Sequence, residues 1–213
     1  VNVALAARPF AHAVPAEARG LARQFRASVR TEDLAFDAAL AAIVKPLRSR
    51  VRHHPRLRHE QLAQAGRLYR TTIPSGFRIG AAAIAPDRAT FEIREHRLTA
   101  SWLHDSRWEG DADYSEPGVG LMRFMLALKD GKLTERWHPI ALVSAHALGR
   151  YFERSGKRDH VALVAALALL VDARDAGGDT VATDGDGAWI GAEVLMRGPH
   201  GTTRARTVRT WHF

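Results

Sequence analysis

The residues best suited to chemistry stand in one short run, Ser144-Ala-His146-Ala-Leu-Gly-Arg150-Tyr151-Phe-Glu153-Arg154. On a helix, His146 and Arg150 share a face at i,i+4, and Arg154 follows one turn further on. Leu148, Tyr151 and Phe152 supply the packing side. A histidine in the first turn meets the positive end of the helix dipole, which disfavours its charged form and leaves a neutral base at neutral pH. Arg150 and Arg154 can clamp a phosphate or offset the charge of a phosphorane. A metal-free ribonuclease needs this kit: a base for the 2′-hydroxyl, an acid for the leaving oxygen, and cationic donors for the transition state. His212, near the end of the chain, is the candidate acid. The competing reading of the run is a solvent-facing helix start whose arginines pair with Glu153 or Asp159.

Two further sets of cations suit a polyanion. In the closing segment, Arg204, Arg206, Thr210 and His212 share one face by period-two spacing. Arg206, Thr210 and His212 are expected to line a concave polar surface beside the His146 helix, against the alternative of a frayed terminus. Earlier, Arg48, Arg50, Arg52, His53, His54, Arg56, Arg58 and His59 form a dense basic run. It suits backbone phosphates but has no base-reading geometry. A helix-turn-helix over residues 31–70 is interrupted by Pro46 and Pro55. Trp102, Trp108 and Trp211 are candidates for stacking on bases, or ordinary core and rim residues.

Metal chemistry has weaker support. Asp111, Asp113 and Glu116 suit Mg²⁺ or Ca²⁺, and Asp105 with Asp111 and Asp113 would serve a metal-dependent nuclease. Asp184 and Asp186 lack the remaining ligands of a calcium loop, and His104 and Asp105 point differently on a strand. The acids read better as a negative surface facing the basic first third. No phosphate-binding glycine loop, dinucleotide fingerprint, nucleophile elbow or His-Glu-x-x-His helix occurs. No metal and no cofactor are expected.

The charge is unevenly spread. The 213 residues carry 31 Lys and Arg against 23 Asp and Glu, a net +8. Residues 1–70 hold 13 basic and 5 acidic residues, while 71–213 hold 18 of each. The whole excess therefore lies in the first third and favours nucleic acid over an anionic membrane. RNA is expected ahead of DNA because the candidate chemistry uses a 2′-hydroxyl. High arginine usage on an ordinary surface is the competing reading. With no Cys, disulfides, thiolate metal sites and a cysteine nucleophile are excluded. No secretory leader is visible, no apolar run is long enough to span a bilayer, and a cytoplasmic setting is expected.

These side chains need a scaffold. Val1, Val3 and Leu5 alternate as an edge strand or a loose arm. A helix runs from Pro15 to about Arg30 with Leu21 and Phe25 inward, and a second starts at Thr31 on first-turn acids. Phe36, Leu40, Ile43, Val44 and Leu47 continue it until Pro46 kinks or stops it. His53-His54-Pro55 turns into a third helix, Leu57 to Tyr69. Phe77 to Ile84 and Thr90 to Leu98 then form a hairpin across Ala85-Pro86-Asp87-Arg88. Residues 99–120 read as a strand and an acidic loop, and Val119 to Leu128 as a short strand or a helical piece.

After the apolar run Pro139 to Val143, Ser144 caps a helix from Ala145 to about Ser155, which Gly156 stops. Asp159 caps a second through about Ala173, apolar nearly all round and expected to be the most buried element. Strands Ala188 to Met196 and Thr203 to Phe213 close the chain. The expected fold is α+β: a mostly antiparallel sheet with a basic helical N-terminal part, 1–70, and an α+β domain, 71–213, holding a buried C-terminal helix pair.

The Ser-x-His-Ala-Leu-x-Arg helix, its following helix and closing strands ending near Thr210 look somewhat like small toxin- and phage-associated ribonuclease domains. The matching residues are His146, Ala147, Leu148, Arg150 and Arg154, within residues 143–213. The resemblance implies RNA cleavage and leaves the acidic segment unexplained. Three readings follow: metal-independent cleavage at His146, Arg150 and Arg154; non-catalytic nucleic-acid binding through residues 45–59; and assembly, as an oligomer or with an acidic protein.

Overall fold

A single helix of 38 residues, α1 (Ala16–His53), occupies the place where the sequence predicts two. The computed structural model describes residues 13–53, 59–86, 91–104, 115–172, 180–183, 187–198 and 201–212. Thr31, expected to open a second helix, instead bonds back to the Ala27 carbonyl at 3.1 Å, one turn behind. Pro46 lies inside the helix and does not end it. Leu47 and Val51, beyond the proline, are buried together with Ile43 and Val44 before it. Packing of that stripe outweighs the lost amide bond, since tertiary burial supplies most of a helix's stability.

The chain continues as α2 (His59–Thr72), β1 (Arg78–Pro86), β2 (Phe91–His104), β3 (Ser115–Lys129), β4 (Lys132–Ser144), α3 (Ala145–Ser155), α4 (His160–Asp172), β5 (Thr180–Thr183), β6 (Ala188–Gly198) and β7 (Gly201–His212). The strands form one sheet in the order β1-β2-β3-β4-β7-β6-β5. Every neighbouring pair is antiparallel except β4 and β7. The fold is α+β, as the sequence implies. Val119 to Leu128, ambiguous in sequence, lies within β3, and β5 was not foreseen.

A two-residue turn, Asp130-Gly131, joins β3 to β4 with φ of 51° and 71°. This is the left-handed pair that right-twisted hairpins favour. It makes Lys129 face Lys132, and the register runs on through Met125 opposite Arg136 and Arg123 opposite His138. Cross-strand partners share a face, so the register assigns every side chain of the meander to one side or the other.

One face carries Phe91, Ile93, Phe124, Leu126, Leu128 and Trp137 against the second half of α1 and against α2. Phe36 meets Phe124 and Trp137 edge-on at 5.4 and 5.6 Å. The opposite face carries Leu98, Val119, Leu121, Ala141, Val143 and Val208, packed with α3, α4 and the first half of α1. α1 therefore serves both cores. It crosses the sheet's end where Arg26 donates to the Gly118 carbonyl and Asp33 accepts from the Ala100 amide.

A buried ionic cluster fastens α1 to the first core. Arg97 donates to Glu32 and Glu95, both at 3.0 Å, and to the Pro74 carbonyl at 2.8 Å, over the Phe36 ring at 4.2 Å. Arg78 pairs with Glu95 at 2.7 Å, and Glu32 accepts from the Phe77 amide. Burial, reinforced by Glu95, pushes the Tyr69 hydroxyl far above its ordinary range.

α3 and α4 both pack inward, but α4 is not the most buried element. α4 buries Leu163, Ala166, Leu167 and Leu170 and leaves Val161 80% exposed. α3 buries six of its 11 residues. A helix that is apolar all round buries only the sides its neighbours cover, and α4 has an open one.

Candidate functional site

Ser144 makes the start of α3 as the sequence predicts. Its hydroxyl accepts from the Ala147 amide at 3.0 Å, and Gly156 ends the helix at φ 66°. The buried side of α3 is Ala147, Leu148, Tyr151 and Phe152. Tyr151 stacks on Trp189 at 5.7 Å and meets Trp211 edge-on at 5.3 Å. These aromatic contacts fix the helix against β6 and β7, and with it the direction of every polar group it carries.

His146 is exposed in the first turn, on the side opposite this packing. Its Nε2 accepts from Arg150 Nε at 3.5 Å. Arg150 is buried and pairs with Glu153 at 2.6 Å. Arg154 donates to the Trp211 carbonyl at 2.5 Å. His146 and Arg150 thus meet as the i,i+4 spacing predicts. Arg150 is also committed to Glu153, and Arg154 ties the helix end to β7.

The end of β7 reaches α3 through Tyr151 and Arg154. These lie five and eight residues beyond His146, roughly 8–12 Å along the helix axis at 1.5 Å per residue. His212 is exposed beside Trp211 and pairs in register with Ala188. Arg206 is half-buried opposite Ala141 of β4, and Arg204 is exposed, 3.6 Å from Glu193. Of the four residues expected to share a face, Arg204 and Arg206 lie on the one that α3 partly covers. The register shift between Ile190 and Gly191 keeps Trp211 on that face with Val208 and turns Thr210 and His212 to the other.

Arg48, Arg50 and Arg52 are exposed at the end of α1. Arg48 lies 3.9 Å from Glu135, itself on the sheet face that α1 covers. Arg56, Arg58 and His54 lie outside the described residues, as do Asp105, Trp108, Asp111, Asp113, Asp184 and Asp186. The side chains of His59, Trp102, His104 and Glu116 do so too. Trp211 is buried among Tyr151 and Trp189. It is a core residue with no face left for a base. Among the described residues no three His, Asp or Glu side chains gather as metal ligands.

Sequence reading missed a second basic cluster, formed by Arg94, His96, Arg123, Arg136 and His138 on adjacent strands. Its signal was present in the Asp130-Gly131 turn, which sets the β3–β4 register and makes partners of residues 15 positions apart. Among the described residues no helix is long and apolar enough to cross a membrane. No protein family matches this chain, and no curated protein or solved structure matches it either.

Proposed function

We propose that this chain is a nucleic-acid-binding protein with RNA as its preferred polyanion, and that His146 is the base of a metal-independent RNA cleavage. The observation that carries the catalytic part is the exposed His146 imidazole in the first turn of α3, with the Arg150 guanidinium 3.5 Å from its Nε2. The dipole of a capped helix start favours a neutral imidazole at such a position. In the proposed step the imidazole takes the 2′-hydroxyl proton and the 2′ oxygen bonds to phosphorus. The P–O5′ bond breaks and the leaving oxygen takes a proton from a general acid, the role expected of His212, or from water. The products are a 2′,3′-cyclic phosphate and a 5′-hydroxyl.

Binding draws support from the exposed Arg48, Arg50 and Arg52 in a segment that carries all of the chain's net charge. Non-catalytic binding is the second reading. It is favoured by the ion pair of Arg150 with Glu153 and by the Arg154 bond to Trp211, which engage the two guanidiniums proposed to face the phosphate.

Fluorescent single-stranded RNA and DNA incubated with EDTA or Mg²⁺, using wild type, His146→Ala and His212→Ala, separates the two. EDTA-resistant RNA cleavage lost in His146→Ala, with affinity retained, supports the catalytic reading. Intact RNA that is nevertheless bound supports binding alone. Cleavage only with Mg²⁺ refutes the metal-free step.

A further inference from the structure

The half of the sheet that α3 and α4 leave uncovered carries an organised array of cations. The registers of β2 with β3 and of β3 with β4 place His96, Arg123 and His138 in one row across three strands. Arg94, Met125 and Arg136 form the next row, followed by Glu92, Ala127 and Thr134. All belong to the face opposite Phe124 and Trp137, which α1 and α2 cover. Arg94 and Arg136 are exposed, while His96, Arg123, Met125 and His138 are half-exposed. Arg123 Nε donates to His96 Nε2 at 3.3 Å, which orients the guanidinium within its row.

The array continues beyond β4. β7 lies parallel to it, and the pairing of Ala141 with Arg206 puts Arg206 on this same face, with Arg204 two residues earlier. Val143 and Val208, paired in the same ladder, are both in the core under α3, which confirms the facing. Described carboxylates on this face are Glu92, which pairs with Arg94, and Glu193, beside Arg204. Arg123 and Arg136 have neither within their own rows.

We propose that this open sheet face, centred on Arg123, is where the backbone of single-stranded RNA lies. The proposal rests on the nucleic-acid-binding reading above and names the surface that performs it. Neighbouring strands stand about 4.8 Å apart and successive same-face residues about 6.8 Å apart, so the cations form a grid that an extended backbone can follow. Guanidinium groups bind phosphate oxygens through forked N–H pairs. The half-exposed imidazole of His138 offers a flat face on which an unpaired base stacks. A duplex has its bases already stacked and gains only the charge contacts. An acidic peptide would find charge but, with Met125 and Ala127 the apolar side chains between these cations, little apolar surface to bury.

The test is fluorescence anisotropy of a labelled single-stranded RNA over a series of salt concentrations. It compares wild type, Arg123→Gln/Arg136→Gln, and Arg48→Gln/Arg50→Gln/Arg52→Gln. Losing two phosphate contacts predicts a roughly 10- to 100-fold weaker Kd. The slope of log K against log salt should become shallower by about 1.4. The α1 variant, at residues that also support binding, should lose less affinity than the sheet variant and a smaller part of the salt slope. Arg136→Glu alone, at an exposed position, guards against misfolding of the double variant and should weaken binding while leaving the urea midpoint unchanged.

Wild-type binding with unchanged affinity in the sheet variants overturns this surface and leaves the binding reading standing. Loss confined to the α1 variant does the same. Duplex RNA or poly-glutamate binding as tightly as the single strand overturns the choice of ligand. Absence of RNA and DNA binding by wild type overturns both this surface and the function it serves.

Discussion

Replacing Arg97 with methionine tests how α1 is held to the sheet. The substitution keeps an unbranched stem over Phe36 but removes three bonds: to Glu32 at 3.0 Å, to Glu95 at 3.0 Å and to the Pro74 carbonyl at 2.8 Å. Glu95 is fully buried at its side chain and keeps one counter-charge, Arg78 at 2.7 Å. Glu32 keeps the Phe77 amide. Removing one member of a buried pair costs about 3–5 kcal/mol, because the partner is left charged in a poor solvent. The retained Arg78 argues for the lower end, and the lost contact with the Phe36 ring adds about 1 kcal/mol. A loss of about 4 kcal/mol is expected. With a urea slope of about 2–3 kcal/mol/M for a chain of this size, the midpoint should fall by roughly 1.3–2 M. Adding Glu32→Gln removes the carboxylate whose ion pair with Arg97 is lost, keeps an oxygen for the Phe77 amide, and should recover at least about 1 kcal/mol. A single variant that loses less than about 1 kcal/mol, or a double that is no more stable than the single, would refute this reasoning.

Asp33 gives a pH prediction. Burial pushes its carboxyl up from 3.8 to about 6, against the opposing pull of the Ala100 amide and of Arg97. The folded state therefore holds this proton more tightly than the unfolded chain, and its contribution to stability is lost as pH rises from about 4 to about 6. Asp33→Asn, whose side-chain carbonyl can still accept from Ala100, should gain about 1 kcal/mol over wild type above pH 7, after allowance for partial exposure, and nothing at pH 4. Urea midpoints across that range decide it. Ser144→Ala removes the cap of α3 and should cost about 1 kcal/mol, read from thermal melts. A side chain at Gly191 would drive its Cβ into the Thr207 carbonyl, so Gly191→Ala should cost about 3 kcal/mol or more, with near-ultraviolet dichroism reporting the disturbed Trp189–Trp211 pair.

The parts of the fold that were legible in sequence are those set by local chemistry. Ser144 and Gly156 bound α3 because each satisfies a backbone requirement within a few residues. Asp159 likewise accepts from the Ala162 amide at the start of α4. The misread parts were decided at a distance. Thr31 and Pro46 are both poor continuations of a helix, yet α1 runs through them because Phe36, Leu40, Ile43 and Val44 are buried against α2 and the sheet. Arg97 and Glu95, hydrophilic in any sequence count, are interior because α1 brings Glu32 to meet them. For the candidate site, His146 and Arg150 were readable at i,i+4. The engagement of Arg154 with β7 was not, since it depends on where a strand 57 residues later is placed. The basic rows of the sheet lay within reach through the Asp130-Gly131 turn, whose left-handed pair dictates a register and so a face.

The central claim is that this protein engages a single-stranded nucleic-acid backbone, and the salt dependence of RNA affinity tests it most directly. Titration of a labelled single-stranded RNA with wild-type protein should give saturable binding whose log K falls linearly with log salt. With Arg94, Arg123, Arg136, Arg204 and Arg206 engaged, a slope of about −3 is expected, at about 0.7 per phosphate neutralised and Arg94 and Arg204 partly held by their carboxylates. A flat anisotropy at about 50 mM salt, where phosphate contacts are strongest, would contradict the account.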